Sequence, residues 1–168
     1  MTAQSATLMT RIGPFTTVVA DTGAVLASGW TGDVDELVPL IHPTLRPAAV
    51  TERRELGRVT DTVRRYHDGE LTAIDDVAVE QVSGEFLVQA WKVLREVQAG
   101  HPLTYTEFAA SAGRPEAVRA AANACARNAA ALFVPCHRVI RNDGSLGGFR
   151  WGLDAKRWLL DHEEAAGE

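Results

Sequence analysis

Pro135-Cys136-His137-Arg138-Val139 sets a nucleophile beside a base, with a proline ahead of them and an arginine behind. Cysteine reacts as the thiolate, and its pKa falls near cations or a histidine. His137, Arg138 and Arg141 could supply that field. A Cys-His dipeptide is equally what a buried cysteine beside a satisfied histidine would give, since unpaired cysteine is among the most buried residues. Extended backbone also sends neighbouring side chains to opposite faces. The two groups therefore need a turn or a bridging water to meet.

The elements that must position this pair can be bounded from composition. A chain of 168 residues fits one large domain or two small ones, and 46% apolar content is enough for a packed core. The net charge of −5 argues against a generally basic nucleic-acid coat. The charge is unevenly spread, however: Ala112 to Arg157 holds eight Lys/Arg against three acids. A local basic face on an acidic protein suits a directed polyanion contact.

Two cysteines, Cys125 and Cys136, make no disulfide framework. The histidines lack a zinc-like spacing, and neither a metal nor a cofactor is expected. No apolar run approaches membrane-spanning length, and residues 1–14 lack the apolar core of a signal peptide. The expectation is a soluble, cytoplasmic monomer without membrane contact.

In the first half, Ile12 to Ala20 and Ala24 to Trp30 read as two strands of a hairpin around Asp21-Thr22-Gly23. Asp33 is placed to cap a short helix through Ile41. Pro47 to Thr51 reads as connecting chain. Glu52 to His67 carries Leu56, Val59, Val63 and Tyr66 at helical spacing. Val77 to Val82 is a short strand candidate, and a domain boundary is placed near Ser83.

In the second half, Phe86, Leu87, Ala90, Trp91, Leu94 and Val97 line one helical face. Thr104 or Thr106 can cap a helix over Glu107 to Ala112. Gly113 turns the chain, and Pro115 opens a second helix to Arg127. Short helix, glycine turn and longer helix is the helix-turn-helix pattern. The second helix runs Arg119-Ala120-Ala121-Ala122-Asn123-Ala124, small enough to approach another surface closely, whether DNA or the protein's own interior. Asn142-Asp143-Gly144 signals a hairpin, so two strands are expected as a wing. Asp154 is placed to cap a last helix with Trp158, Leu159 and His162 facing inward, ending in a frayed tail from Ala165.

With these pieces in place, the stretch from Phe86 to Glu163 resembles the O6-alkylguanine-DNA alkyltransferases. The resemblance rests on Phe86 and Trp91, Tyr105, Arg119, Asn128, Pro135 to Val139, Gly147, Gly152-Leu153, Trp158-Leu159-Leu160 and Glu163. Its most specific element is the pentapeptide with an asparagine eight residues before the cysteine. Ile12-Gly13-Pro14-Phe15 resembles the family's N-terminal hairpin more weakly. The resemblance implies an α/β protein: a ribonuclease H-like domain over 1–82, then a winged helix-turn-helix domain over 83–168.

It also implies a chemistry. The partner would be double-stranded DNA containing O6-alkylguanine, or O4-alkylthymine as a second substrate, met through the minor groove and with the nucleotide turned out of the stack. Cys136 would attack the alkyl carbon. A relay of Glu163, His137, water and Cys136 would remove the thiol proton, by the base-plus-orienter logic of a triad. Tyr105 would protonate the leaving guanine and crowd the adjoining phosphate. Asn128 would hold the turn before the cysteine and orient Tyr105 or Glu163. Arg119 would fill the gap in the stack, with Tyr105, Ala120, Ala121, Asn123 and Arg127 beside it on DNA. Pro135, Val139, Phe149, Arg150 and Trp151 would line the pocket. The thioether formed cannot be hydrolysed by any residue present, so one turnover per molecule is expected.

The chain departs from the family in several places. Ala129, Ala130 and Ala131 follow Asn128 where prolines are usual, which suggests a less rigid loop. Phe149 replaces a frequent tyrosine, Trp151 a glycine of some members, and Ala121-Ala122 a glycine pair. A non-catalytic sensor of alkylated bases is the alternative reading. Proteins of that type carry another residue at the cysteine position.

Overall fold

A computed structural model of the protein describes residues 2–166. The chain separates into two compact units, one of residues 1–82 with 129–133, the other of 83–128 with 134–168. The second unit thus begins at Ser83, but residues 129–133 return to the first. No helix among the described residues is long and apolar enough to cross a membrane.

The first unit is built on a four-stranded sheet. Its strands are β1 (Thr2–Thr10), β2 (Gly13–Ala20), β3 (Val25–Gly29) and β4 (Ala49–Glu52). Their order is β3-β2-β1-β4, with β4 parallel to β1 and the other pairs antiparallel. The hairpin read from the sequence is therefore present as β2–β3. β1 was missed because its residues are small and polar: only Ala3, Ser5, Ala6 and Leu8 turn inward. Pro47 to Thr51 is not merely connecting chain, because Ala49 to Thr51 pair with Thr2 to Gln4.

Helix α1 spans Arg58–His67, six residues later than the sequence suggested, since Glu52 still belongs to β4. Two 3-10 turns replace the single helix expected after Asp33, whose carboxylate does accept from Asp35 N at 2.9 Å. Val77 to Val82 contributes only a bridge, Val25 to Val79.

The core of this unit gathers Phe15, Trp30, Tyr66, His67 and Phe133. Phe15 and Trp30 meet edge to face at 4.9 Å. Burying a ring such as Phe15 contributes roughly 2–3 kcal/mol. His67 Nδ1 donates to Val63 O at 2.7 Å, leaving Nε2 to accept from the Trp30 indole at 3.3 Å. The buried histidine is thereby fixed in one tautomer.

The second unit contains α2 (Glu85–Glu96), β5 (Leu103–Thr104), α3 (Tyr105–Ser111), α4 (Val118–Arg127), β6 (Val139–Ile140) and α5 (Leu153–Ala166). Ala90, Trp91, Val93 and Leu94 are the buried face of α2, and the Trp91 indole donates to Ala124 O on α4 at 2.9 Å. Thr104 caps α3 in a reciprocal box with Glu107, each backbone N–H held by the other side chain.

Three expectations fail here. The turn at Asn142 to Gly144 forms, with Gly144 N donating to Arg141 O at 2.9 Å, but no two-stranded wing follows it. The strand before the turn, β6, pairs in parallel with β5 instead, and residues 141–152 run as an irregular loop. Asp154 is not a cap: the helix begins at Leu153, and Asp154 lies in its first turn. The tail expected from Ala165 is helical to Ala166, and Gly167 and Glu168 lie outside the described residues.

Candidate active site

The parallel pairing of β5 with β6 brings the parts together. Leu103 lies against Val139 and Thr104 against Ile140. Tyr105 follows directly on β5, and Cys136 to Arg138 form a 3-10 turn just before β6. Asn142 Nδ2 adds a bond to Thr106 Oγ1 at 2.7 Å, fastening the loop to the start of α3.

His137 and Glu163 are each fully shielded from solvent. His137 Nε2 lies 2.8 Å from Glu163 Oε2. Arg138 also turns to Glu163, through Nε at 3.0 Å and a terminal nitrogen at 2.9 Å, while its other terminal nitrogen donates to Val97 O at 2.7 Å. Burial works against the Glu163 carboxylate, but the charges and hydrogen bonds of His137 and Arg138 outweigh it and hold its pKa well below the usual range. Burial pushes the His137 pKa down, against the pull of Glu163. A neutral ring must then present Nε2–H to the carboxylate, so its lone pair is at Nδ1. That atom is buried and has no hydrogen-bond partner among the described residues.

Cys136 is 8% exposed. Burial raises its thiol pKa, opposed by a hydrogen bond from Asn128 and by the charges of Lys156 and Arg150. The resting group is thus a thiol, which corrects the expectation of a thiolate favoured by neighbouring cations. Arg138 is committed to Glu163 and supplies no such field. Asn128 Nδ2 donates to Val134 O at 2.8 Å, fixing the turn before the cysteine as its amide bonds the sulfur.

Lys156 escaped the sequence reading. It is fully buried, and its Nζ donates to Val139 O at 2.8 Å and Gly148 O at 3.3 Å. The signal was present: Lys156, Leu159 and Glu163 are spaced three and four apart, an inward stripe with an ion at each end. Trp158 and His162, expected inward, are half-buried and stack on each other at 4.4 Å.

Tyr105 is half-buried, and its pKa is pushed up to about 12 by burial and by the two cysteines. It is a neutral phenol at ordinary pH. Its hydroxyl packs on Gly147, where φ is +74° and an added Cβ would come within 3.1 Å of the Tyr105 oxygen. The left-handed backbone favours glycine there, and a side chain would also press on the Tyr105 ring.

On α4, Arg119, Asn123 and Arg127 are exposed at four-residue spacing, with Ala120 half-buried nearby. Ala121 is fully buried, so it cannot touch a ligand surface and packs within the protein instead. Val139 is likewise fully buried, and Pro135 is also shielded, so neither offers an open pocket wall. Phe149 and Trp151 are half-buried, and Arg150 donates to Ala126 O at 2.7 Å, drawing the loop to the end of α4. No three His, Cys, Asp or Glu side chains gather as a metal site among the described residues.

The chain is similar to known proteins in sequence and in fold. Residues 85–165 match the family described as 6-O-methylguanine DNA methyltransferase, DNA binding domain. The methylated-DNA–protein-cysteine methyltransferase of Shigella flexneri is 31% identical over 158 residues, 93% of this chain and 92% of that one. A protein of the same name from Methanosarcina barkeri is 42% identical over 119 residues, 70% and 75% of the two chains. The bifunctional transcriptional activator/DNA repair enzyme Ada of Escherichia coli is 47% identical over 78 residues, and the match spans 46% of this chain but only 22% of Ada. The crystal structure of Mycobacterium tuberculosis OGT in complex with DNA superposes with a TM-score of 0.81 at 29% identity, covering 97% of this chain and 94% of that one. By sequence over nearly its whole length and by fold, the chain belongs to the methylated-DNA–protein-cysteine methyltransferase family.

Proposed function

We propose that this protein repairs DNA directly, moving a methyl or other alkyl group from O6 of guanine to Cys136, once per molecule. The observation that carries this reading is the buried Glu163–His137 pair, which leaves Nδ1 as the open base on the residue next to the cysteine. Adjacent side chains diverge, so a water passes the proton from sulfur to Nδ1. Glu163, itself held by Arg138, fixes the ring and balances the charge it gains.

The sulfur electron pair then forms an S–C bond to the alkyl carbon as the C–O6 bond breaks. The departing pair goes to the guanine, and the Tyr105 phenol protonates the ring. Lys156 and Arg150 favour the transient thiolate. The product is a thioether, which ends the cycle.

The exposed Arg119, Asn123 and Arg127 face of α4 suits a minor-groove contact, with α3 and α4 acting as the helix-turn-helix and the irregular loop 141–152 in place of a stranded wing. The four-stranded sheet of the first unit serves as the ribonuclease H-like part. The protein acts as a monomer in this scheme.

The test is intact mass before and after incubation with an O6-methylguanine duplex. One added methylene mass on Cys136, saturating at one equivalent, is expected. A Cys136→Ala protein should bind the duplex without gaining mass. Binding with no mass gain by the parent protein would favour the sensor reading, and turnover beyond one equivalent would favour a hydrolase.

A further inference from the structure

Residues 129–133 form the strap that carries the chain from α4 towards Cys136. All five are apolar and nearly fully buried. None of their side chains can hydrogen-bond, so the polar ties of the strap run through its backbone. Ser28 and Gln81 supply three of these ties. Ser28 N donates to Ala129 O at 2.8 Å, and Ser28 Oγ donates to Ala131 O at 2.7 Å. Ala129 N donates to Gln81 Oε1 at 3.0 Å.

Ser28 is itself unusual. It is fully buried in β3 after Val25, Leu26 and Ala27, where a hydroxyl is costly unless bonded. Its partner peptide leads into Leu132, whose φ of +79° is the only left-handed backbone of a non-glycine among the described residues. An L-residue holds that conformation only where its surroundings impose it. The torsion turns about the bond joining the Ala131–Leu132 peptide to the next Cα. Holding Ala131 O therefore fixes one side of that torsion, and the bond from Asn128 to Val134 O holds the chain beyond it. Two residues beyond Leu132, Asn128 grips Val134 O, and Cys136 follows.

We propose that Ser28 is a positioning residue for Cys136, acting with Gln81 through the strap to aim the nucleophile. Ala129 offers an N–H that proline would lack, and Gln81 takes it up. Hydrogen bonds here do the work of ring constraint.

The inference rests on the alkyl-transfer reading for one of its two measurements only. In the full chain, Ser28→Ala removes the hydroxyl but keeps the backbone bond, and Gln81→Leu removes the acceptor at a half-buried site. Ser28→Thr and Gln81→Glu keep the bonding groups. The first measurement is the limiting single-turnover transfer rate on an O6-methylguanine duplex, with the half-saturating DNA concentration. Ser28→Ala should lower the rate on the order of tenfold without changing half-saturation, as small misalignments of a nucleophile do. The conservative variants should restore it. The second measurement is iodoacetamide labelling, with Cys136 and Cys125 resolved by peptide mass. Loosening the strap should speed labelling of Cys136 relative to Cys125, because a general loss of stability would expose both.

If Ser28→Ala fails to fold, the Gln81 pair decides the matter in the same way. Folded variants with parental rates and labelling ratios overturn the inference, as does a loss of rate with both cysteines labelled equally faster. If the parent transfers nothing, the function fails, and the labelling ratio still tests the strap.

Discussion

Glu163 Oε2 lies 2.8 Å from His137 Nε2, and the same carboxylate holds Arg138, with all three side chains shut away from solvent. The acid is thereby kept ionised at the end of a helix whose outer face is solvated. The imidazole is left with its acceptor nitrogen on the side away from the carboxylate. The arrangement orients a base and keeps it neutral until it receives a proton.

Glu163→Gln should remove the charge that steadies the protonated imidazole and leave Arg138 buried without its counterion. Breaking one partner of such a pair costs about 3–5 kcal/mol. The limiting transfer rate should fall by roughly a hundredfold with little change in DNA affinity, in line with the usual worth of base catalysis. Urea unfolding and single-turnover kinetics check the two parts. A variant with parental kinetics would remove Glu163 from the mechanism.

Arg138→Lys keeps a cation but loses the fork that meets Glu163 at two nitrogens and Val97 O at a third. A stability loss of about 1–3 kcal/mol is expected from the bonds to charged groups that go unmade. If Arg138→Lys matches the parent in both urea midpoint and transfer rate, a simple positive charge suffices there.

Acid should destabilise the protein in two stages. His137 has its pKa lowered on folding, so its neutral form contributes stability above the unfolded value of about 6.5, and this is lost as pH falls. Glu163 is also lowered, so its contribution is complete above about 4.3 and declines as pH falls towards the folded value. Both act in the same direction. Urea midpoints should drop from pH 7.5 to pH 5.5 and again towards pH 4, and Glu163→Gln should flatten the second stage. A midpoint that rose on acidification would contradict both assignments.

Lys156→Met removes the buried cation that favours the Cys136 thiolate and leaves Val139 O without its donor. Transfer should slow on the order of tenfold or more, as loss of one preorganised charge does. The pH–rate profile should also shift upward, because the thiol becomes harder to ionise. An unshifted profile would reduce Lys156 to a scaffold residue.

Arg119→Ala should slow repair of duplex DNA more than reaction with free O6-methylguanine, and should lessen the salt dependence of binding. The comparison is made by rate on the two substrates. Equal losses would remove the role of Arg119 in turning the nucleotide out.

Much of this was legible in the sequence because it depends on local spacing. The β2–β3 hairpin, the Thr104 cap, the helices α2 to α5 and the residues Cys136, His137 and Glu163 follow from turn chemistry, capping and periodicity, together with the resemblance. The misses have a shared cause. β1 and β4 carry little local signal, and their pairing in the sheet makes them strands. The wing failed because β6 found β5 as a non-local partner.

The sequence alone determined which groups are present: a thiol, an imidazole, four acids on the last helix and a cluster of arginines. Tertiary structure decided their states. It sent Arg138 to the acid instead of the sulfur, brought the unremarked Lys156 to the nucleophile and buried Ala121 away from any partner. The physical reason is that charge state and reach depend on burial and on neighbours remote in the chain, and a linear pattern specifies neither.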